Sequence, residues 1–455
     1  MQHLGMESSV GPVPSHVGGR VAFIRVVLSR LPDRRVVSNV KWTFTGNALY
    51  ALSQWAMVVV LARFTDPQTV GTLALAFAIT APVVIFFNMQ LRAVVATDVT
   101  GHYGLRDYLR TRLFTTAAAL LVTLIFLPVL RQSATTVWVI VLVALSKGAE
   151  SLSDIVHGHW QLIERMDLVG RSLTLRALLT LTTFTVTVVL TRDVVWGSVA
   201  FLAGSLGVFL SYDLRRVAPD LDPLNMIRHP LTNTVALLDL TATRNATLRA
   251  IVRLALPLGC AAMLISLNTA IPRYFIEANC GKRQLGIFAA LSYFIVVGNL
   301  SMNAVGQSLL PRLAKLYRLH SRAEFRRLLT ALLVCSALVA IGSMTVSLMF
   351  GRRLLQIYGN EYANAYPVFL VIMGAASVGY FLSVFNFSLN AIAAYKVQMP
   401  LFLAVTLALT VLCKVLIPKY GLPGAAGALL AAGAIQGAIS GLVLMWQAQT
   451  PCTQP

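Results

Sequence analysis

The sequence has 455 residues, of which 57% are apolar and only 12% are charged. A soluble globule of this composition would expose large apolar patches, so the composition excludes an ordinary soluble domain and indicates a chain that resides in lipid. The formal net charge of +20 would also suit a polyanion such as nucleic acid. We expect no nucleic-acid partner, because the lysines and arginines are scattered over short connections between apolar stretches.

Apolar stretches follow one another along the whole chain, and each is long enough to cross the hydrocarbon core of a bilayer as a helix, which takes about 20 residues. They run over 40–63, 70–90, 113–130, 135–158, 173–191 and 194–212, and then over 250–274, 285–307, 328–349, 364–386, 398–417 and 423–447. The sequence therefore predicts an all-α polytopic membrane protein with about twelve spans.

The spans form two runs of six on either side of a polar gap. We divide the chain into a basic N-terminal segment over 1–39, an N-lobe over 40–212, a linker over 213–249, a C-lobe over 250–447 and a tail over 448–455. Short strings recur between the halves, such as VGTLA at 70–74 and LGIFA at 285–289. Because each run has an even number of spans, the two pseudo-symmetric lobes share one orientation, an architecture typical of transporters.

The distribution of basic residues predicts the orientation of the spans. If the connections alternate between the two sides, about 27 of the 37 lysines and arginines fall on the side of both termini. By the positive-inside rule this is the cytoplasmic side of the cell's inner membrane. Five tryptophans fall near span ends, where interfacial anchors are expected. They are Trp42, Trp138, Trp160, Trp196 and Trp446.

Polar residues recur at helical spacing in several spans. A polar side chain that faces lipid costs free energy, so such stripes are expected to face the interior of the bundle. We interpret them as the wall of a hydrated, substrate-binding cavity between the lobes. The alternative is that they form hydrogen bonds that hold the helices together. The candidate residues are Asn47, Tyr50, Gln54, Asn268, Asn299, Asn303 and Asn386.

Three charged residues, Lys147, Glu150 and Asp154, lie within the fourth span at separations of three and four. Each costs roughly 3 kcal/mol at the centre of a bilayer on the insertion scale. The spacing places them on one face of a helix, where opposite charges can pair. Two interpretations stay open, namely a structural ion pair and the coupling of transport to a cation or proton.

Four arginines near span ends are candidate contacts for an anionic group: Arg92, Arg176, Arg273 and Arg312. The planar guanidinium group offers a fork of hydrogen-bond donors that matches a phosphate. For each arginine alone, the alternative is that its long side chain extends to the lipid headgroups.

No soluble catalytic or metal-binding constellation is visible in the sequence. The seven histidines are isolated from cysteines and carboxylates at metal-ligand spacing, and no glycine-rich phosphate loop followed by Lys and Ser or Thr occurs. We therefore expect no enzyme activity, no metal site and no cofactor. An integral membrane enzyme stays open as an alternative, although such enzymes generally place catalytic residues in a large extramembrane loop, and the longest loop here is short.

Several strings carry a family resemblance. They are LPLG at 256–259, SLNTAIPRY at 266–274, LGIFAA at 285–290, PRLAK at 311–315, IYGNEY at 357–362, QMPL at 398–401 and PKYGLPGAAG at 418–427. In this order and spacing the chain resembles the bacterial polysaccharide exporters and O-antigen-type flippases of the multidrug/oligosaccharidyl-lipid/polysaccharide (MOP) superfamily. The resemblance covers nearly the whole chain after Val40.

The resemblance implies a MATE-like fold and a flippase that moves an oligosaccharide linked to a polyprenyl pyrophosphate across the cytoplasmic membrane. It also implies contact with membrane lipid and a place beside a polysaccharide polymerase and glycosyltransferases. One alternative is a cation-coupled multidrug exporter of the MATE type, but many of these carry a carboxylate in the first span, and residues 40–62 contain none. A membrane enzyme of polysaccharide assembly is the less favoured alternative.

Overall fold

The computed structural model describes residues 34–98, 101, 103–221, 245–319, 321–392 and 395–449. All long regular elements in these ranges are helices, so the all-α prediction is confirmed. The predicted N-terminal segment, linker and C-terminal tail lie mostly outside the described residues.

Eight helices make up the first half of the described chain. They are α1 (Arg34–Phe64), α2 (Pro67–Asn88), α3 (Leu91–Thr97), α4 (Leu105–Phe126), α5 (Ala134–Leu162), α6 (Met166–Thr191), α7 (Val194–Val208) and α8 (Leu214–Leu221). A single π-helical turn, Phe209–Asp213, joins α7 to α8. The sixth span therefore continues as helix beyond residue 212, into the range predicted to be linker.

The second half is built around a very long helix. It contains α9 (Asn245–Arg318), α10 (Arg322–Gln356), α11 (Asn360–Ala363), α12 (Tyr366–Ala391), α13 (Tyr395–Tyr420) and α14 (Leu422–Gln449). The 74 residues of α9 bend at Gly281, whose φ of 80° lies outside the helical region. Glycine adopts such a conformation without steric cost. The bend divides α9 into a first arm, 245–280, and a second arm, 282–318.

Ten stretches of the described chain are long and apolar enough to cross a membrane. One of them, Ala246–Val296, is 51 residues long and includes the bend of α9, so it accounts for two crossings. Helix α5, with 29 residues, also has spanning length and carries the three charged residues of the fourth predicted span. With α5 and the divided α9, the long helical segments of the described chain number twelve. The protein is a multi-pass membrane protein.

Local chemistry explains why helix α2 begins where it does. Asp66 precedes it, and its side chain accepts a hydrogen bond of 2.7 Å from the Thr69 N–H, while Pro67 occupies the first helical position. Hydrogen bonds from Thr69 lower the pKa of the Asp66 carboxyl group. The cap thus stays ionised and complements the positive end of the helix dipole.

Short connections make successive long helices antiparallel, so the bundle has two faces. We call the face where α1 begins the near face and the face where α1 ends the far face. The end of α8, the starts of α9 and α10 and the end of α14 belong to the near face. The bend of α9 and the short α11 belong to the far face.

Helices α1–α8 and α9–α14 form two lobes that meet mainly along α2 and α9. Glycine permits this close approach. A Cβ atom at Gly71 would lie 1.8 Å from the Lys282 carbonyl oxygen, and one at Gly286 would lie 1.9 Å from the Pro67 carbonyl oxygen. The seam continues at Gly259, where a Cβ atom would lie 2.7 Å from a backbone carbonyl oxygen of α2. The two helices therefore touch through their backbones.

The lobes are also joined by hydrogen bonds between the middle of the bundle and the far face. Among the described residues, all six side-chain hydrogen bonds that cross between the lobes lie in this half, where the apolar core is continuous across both lobes. They join Arg63 to Gln356 and Ile357, Trp55 to Tyr358, Gln132 to Glu277, Lys282 to Thr136, and Tyr274 to Ala78. The lobes are thus closed together toward the far face.

Three tryptophans expected at the membrane interface, Trp42, Trp138 and Trp196, are exposed near helix ends. Trp160 is different, because its side chain is 0% exposed and lies in an apolar cluster of the N-lobe. Its prediction as an interfacial anchor is wrong, since α3 and α8 cover the near-face end of α5. The side chain of Trp446 lies outside the described residues.

The Gly71→Ala substitution tests the seam between the lobes. The added Cβ atom would overlap the backbone carbonyl of Lys282, which cannot rotate away, so the lobes would have to shift. Overpacking of this kind costs about 1–3 kcal/mol. We expect a lower midpoint of thermal unfolding for the purified protein in detergent.

The matched control is Gly342→Ala in α10, where a Cβ atom meets nothing within 4 Å. This variant should be neutral or slightly stabilised, because alanine is favoured over glycine in a helix interior by about 0.5–1 kcal/mol. Equal unfolding midpoints for the two variants would contradict the close packing of α2 on α9.

Candidate functional site

An ion pair lies inside the N-lobe, between the middle of α1 and the middle of α5. Lys147 Nζ donates a hydrogen bond of 2.8 Å to Glu150 Oε2, and the Tyr50 hydroxyl donates one of 2.9 Å to Glu150 Oε1. The side chains of Lys147 and Glu150 are 24% and 15% exposed. Of the two carboxylates that the spacing offers to Lys147, the one that pairs with it is Glu150.

Aromatic rings cover the ammonium group of Lys147. Its nitrogen lies 5.4 Å from the centre of the Phe77 ring and 5.6 Å from that of Phe201. The two rings contact each other edge to face, with 6.2 Å between their centres. Cation–π attraction and the Glu150 carboxylate together offset the loss of hydration of this buried charge.

A crevice next to this ion pair extends to the C-lobe. Tyr293, from the second arm of α9, forms its C-lobe wall and lies within electrostatic range of both Lys147 and Arg273. Gln54 lies on the N-lobe side, and its buried Nε2 atom has no hydrogen-bond partner among the described residues. The crevice is lined by Gln54, Met57, Val58, Leu73, Phe77, Phe184, Ser198, Phe201 and Tyr293.

Arg273 lies in the first arm of α9, seven residues before that arm ends at residue 280. At a rise of 1.5 Å per residue this is about 10 Å from the end of the helix, deeper than the span end at which the sequence pattern places it. Its side chain is half-buried and makes no hydrogen bond or ion pair with any described residue. The titratable groups within its electrostatic range are the hydroxyls of Tyr274 and Tyr293.

A second charged cluster lies where α2, α3, α4 and α5 meet at the near face. Arg92 donates a hydrogen bond of 3.2 Å to Asp154 Oδ1. Arg112 lies 3.8 Å from Asp154 Oδ2, donates a hydrogen bond to Asn88 Oδ1 and is 0% exposed. Two guanidinium groups therefore share one carboxylate, which leaves the cluster with one excess positive charge.

A third set of polar residues is enclosed between α5, α6 and the π-helical turn. Arg176 donates a hydrogen bond of 3.1 Å to Asp213 Oδ2 and another to Ser153 Oγ. His157 and Ser172 form a hydrogen bond of 2.9 Å beside them. Arg176 and Asp213 are both buried, so this guanidinium group is matched by a carboxylate inside the lobe. A role for Arg176 as a contact to a substrate anion stays a prediction.

Two of the predicted asparagines take part in hydrogen bonds of the bundle. Asn47 is exposed and donates a hydrogen bond of 2.8 Å to the Thr43 carbonyl oxygen one turn earlier in α1. Asn268 accepts a hydrogen bond of 2.8 Å from the Thr406 hydroxyl, which joins α9 to α13 within the C-lobe. This second contact is of the helix-to-helix kind that the alternative interpretation expects.

The remaining predicted residues are not brought together in one place. Asn299, in the second arm of α9, and Asn386, in α12, are half-buried. The Oδ1 atom of Asn386 is buried without a hydrogen-bond partner among the described residues. Arg312 is exposed toward the near-face end of α9. The side chain of Asn303 lies outside the described residues.

Three further residues, Arg112, Asp213 and Tyr293, were not among those predicted from the sequence. Arg112 and Asp213 adjoin predicted spans and were assigned to the connections, but α4 begins at Leu105 and the π-helical turn includes Asp213, so helices contain both. An acidic residue at the edge of a basic linker was the available signal for Asp213. Tyr293 has an amphipathic side chain in an apolar stretch and gave no signal of its own.

No protein family model matches this chain. The chain is 28% identical over 393 residues to the capsular polysaccharide biosynthesis protein CapF of Staphylococcus aureus. The alignment covers 86% of this chain and 94% of CapF. The similarity therefore extends over both lobes.

Solved structures of transporters share the fold. The lipid II flippase MurJ in an inward closed conformation has a TM-score of 0.68 at 14% identity, over 91% of this chain and 88% of MurJ. An inward-facing MATE family transporter gives 0.67 at 10% identity, over 89% and 96%. An outward-facing MATE family transporter gives 0.61 at 11% identity, over 91% and 95%. The MATE-like fold that the sequence predicts is confirmed.

The sequence comparison and the fold comparison agree. The sequence similarity covers nearly the whole length of CapF. The fold similarity covers most of the length of each solved structure. The chain is therefore similar in sequence to a capsular polysaccharide biosynthesis protein and in fold to MATE transporters and MurJ, which supports a polysaccharide exporter or flippase family of the MOP superfamily.

Proposed function

We propose that the protein flips an oligosaccharide linked to a polyprenyl pyrophosphate across the cytoplasmic membrane, by alternating access, for the synthesis of a surface polysaccharide. The observation that carries the proposal is Arg273, a half-buried cation at membrane depth that no described residue neutralises. The similarity to CapF, whose name connects it to capsular polysaccharide biosynthesis, supports the same conclusion.

Electrostatics explains why an unmatched arginine points to an anionic substrate. A charge near the bilayer centre costs roughly 3 kcal/mol, and such charges are normally paired. Lys147 and Arg176 follow this rule, since each has a carboxylate partner inside the N-lobe. Arg273 would gain its partner when substrate binds, because a guanidinium group forms charge-assisted, bidentate hydrogen bonds with phosphate oxygens.

The near-face cluster extends the positive charge toward the side from which the substrate would arrive. Arg92 and Asp154 are half-buried, and with Arg112 they leave one excess positive charge. A pyrophosphate that approaches from the near face would meet Arg92 first and Arg273 deeper in the bundle. The polyprenyl tail would stay in the surrounding lipid.

The glycan needs partners that can donate and accept hydrogen bonds. Gln54 Nε2 and Asn386 Oδ1 are buried polar atoms without a partner among the described residues. An unsatisfied buried group costs about 1–3 kcal/mol, and a sugar hydroxyl could satisfy either atom. In bare hydrocarbon each polar group of the sugar would lack a partner, at several kcal/mol each. A polar path between the lobes would therefore lower the barrier to flipping.

The hydrogen bonds between the lobes lie toward the far face, so they favour a resting state that opens toward the near face, to one side of the seam between α2 and α9 that continues to Gly259. We assign the near face to the cytoplasm, because most basic residues of the described chain lie on that side. Flipping would then require the far-face hydrogen bonds and the glycine seam to separate while contacts form at the near face. The higher TM-score with the inward-facing MATE transporter supports this direction.

The chemistry of the proposed substrate defines its neighbours. Glycosyltransferases must assemble the oligosaccharide on the lipid before it is flipped, and a polymerase or transferase must consume it afterwards. We propose these enzymes as functional partners in the same membrane.

The Arg273→Ala variant tests the proposal. It removes the charge-assisted hydrogen bonds to the pyrophosphate, which are worth about 1.5–3 kcal/mol, so flipping should fall roughly tenfold or more. The measurement uses proteoliposomes that contain a fluorescent lipid-linked oligosaccharide, whose transfer between leaflets is followed with a membrane-impermeant quencher. Surface polysaccharide should fall likewise when this variant replaces the native protein in cells.

Arg353→Ala is the matched control, because Arg353 is an exposed arginine at the far end of α10. Arg273→Lys keeps the charge but not the fork of donors, so we expect intermediate activity. All three variants are compared at equal amounts of folded protein in the membrane. Normal flipping by Arg273→Ala would remove Arg273 from the mechanism.

The Lys147–Glu150 pair bears on the alternative of cation coupling. Both oxygens of Glu150 are occupied, Oε1 by the Tyr50 hydroxyl and Oε2 by Lys147. A coupling cation would have to displace Lys147 from the carboxylate. We propose that the pair is structural, with coupling through Lys147, Glu150 and Asp154 as the competing hypothesis.

Single and double variants separate these two hypotheses. Lys147→Met or Glu150→Gln alone leaves an unpaired charge at membrane depth, so each should lower the free energy of unfolding by about 3 kcal/mol. The double variant removes both charges and should recover the thermal midpoint together with flipping activity. A stable double variant that no longer flips its substrate would favour coupling.

A further inference from the structure

Arginine and aromatic side chains form a cluster on the N-lobe at the near face. The guanidinium carbon of Arg171, in α6, lies 5.4 Å from the centre of the Trp42 ring of α1. That of Arg216, in α8, lies 5.7 Å from the centre of the Tyr212 ring. Both arginines are within electrostatic range of Tyr212. We call Trp42, Arg171, Tyr212 and Arg216 the near-face arginine patch.

The carboxylates close to this patch already have partners. Asp167 accepts two hydrogen bonds from Arg165, at 3.0 and 3.2 Å. Asp213 pairs with a different arginine inside the lobe. Arg171 and Arg216 are exposed and form no ion pair with any described residue. The patch therefore keeps two positive charges that an external anion can neutralise.

The Tyr212 hydroxyl is a buried group without a hydrogen-bond partner among the described residues. Its ring is held by Trp160, which contacts it edge to face with 6.1 Å between the ring centres. Tyr212 belongs to the π-helical turn Phe209–Asp213, a rare conformation that is frequent at functional sites. An acceptor oxygen of a ligand would satisfy this hydroxyl and remove the cost of leaving it unpaired.

Exposed apolar side chains continue from the patch toward the middle of the membrane. Leu175 and Leu178 lie four and seven residues after Arg171 on the same face of α6, and both are exposed. Phe44 on α1 is exposed as well. Helix α6 packs mainly on α1 and α7 within the N-lobe, so this surface faces lipid. The arrangement fits a lipid whose headgroup lies at the arginines and whose acyl chains cover the leucines.

We propose that the near-face arginine patch binds the phosphate of an anionic phospholipid of the surrounding membrane, with Arg171 and Arg216 as cationic contacts and Tyr212 as a hydrogen-bond donor. The ligand is bulk lipid and not the flipped substrate, because the patch lies on a lipid-facing surface outside the crevice. Two unmatched charges favour a headgroup with net negative charge over a zwitterionic one. The inference does not depend on what the protein transports.

The experiment measures lipid binding to the purified, delipidated protein by native mass spectrometry and by the shift of the thermal unfolding midpoint. Phosphatidylglycerol should bind and raise the midpoint more than phosphatidylcholine, and inorganic phosphate at equal concentration should have little effect. Tyr212→Phe removes only a hydroxyl that has no described partner, so the lipid-free midpoint should be unchanged. Phosphatidylglycerol affinity should fall about tenfold, the loss expected for one charge-assisted hydrogen bond. Arg171→Ala with Arg216→Ala should abolish the lipid preference.

The chain provides a matched control at the far face. Arg352 lies 5.6 Å from the centre of the Tyr366 ring, but the Tyr366 hydroxyl already donates a hydrogen bond of 3.2 Å to the Leu348 carbonyl oxygen. Arg352→Ala with Arg353→Ala should keep the preference for phosphatidylglycerol. Three results would each overturn the proposal: equal binding of both lipids, wild-type affinity in Tyr212→Phe, or an equal loss in the far-face control. Stabilisation by inorganic phosphate equal to that by phosphatidylglycerol would overturn the lipid as the ligand.

Discussion

The cost of placing a charge in a lipid bilayer governs how this bundle is assembled. Lys147 reaches its carboxylate partner on its own helix, but Tyr50 must arrive from α1 to occupy the other oxygen. Arg176 in α6 needs Asp213, which lies in the π-helical turn after α7. The contacts that reach a second helix fix the two helices relative to each other, and each ion pair neutralises a charge inside the lobe. The contacts that lower the free-energy cost of placing these charges in lipid also make the N-lobe rigid.

A rigid lobe confines motion to the surface between the lobes. There the contacts are of a different kind, namely glycine backbones in van der Waals contact and single hydrogen bonds near the far face. Such contacts can separate without breaking an ion pair, because the charged groups among them, Arg63, Lys282 and Glu277, each bond to a neutral partner that water can replace. Among the described residues, ion pairs lie within a lobe and single hydrogen bonds join the lobes, a division that suits movement of one lobe against the other.

Hydropathy was sufficient to predict the helices, because crossing the membrane imposes a length and an apolar composition that a single sequence displays. It was not sufficient at the span ends. Arg112 and Asp213 are polar enough to resemble connections, and only packing against other helices shows that both are buried. Lys147 pairs with Glu150 three residues later in the same helix, whereas Asp154, two turns from Lys147, pairs with Arg92 and Arg112 of other helices. Partner choice depends on neighbouring helices, which periodicity within one span does not report.

The two lobes share a fold but differ in chemistry, and the difference fits a substrate with two unlike parts. In chain order α12 is the counterpart of α5, yet it carries Ser383 and Asn386 where α5 carries a lysine and two carboxylates. The fourth span of the N-lobe is therefore rich in charges, and its counterpart in the C-lobe carries neutral amides and hydroxyls. A pyrophosphate needs fixed positive charge, whereas a glycan needs partners that donate and accept hydrogen bonds. For the proposed substrate, divergence of the repeated halves would let one symmetric scaffold meet both needs, with Arg273 of the C-lobe as the contact to the pyrophosphate.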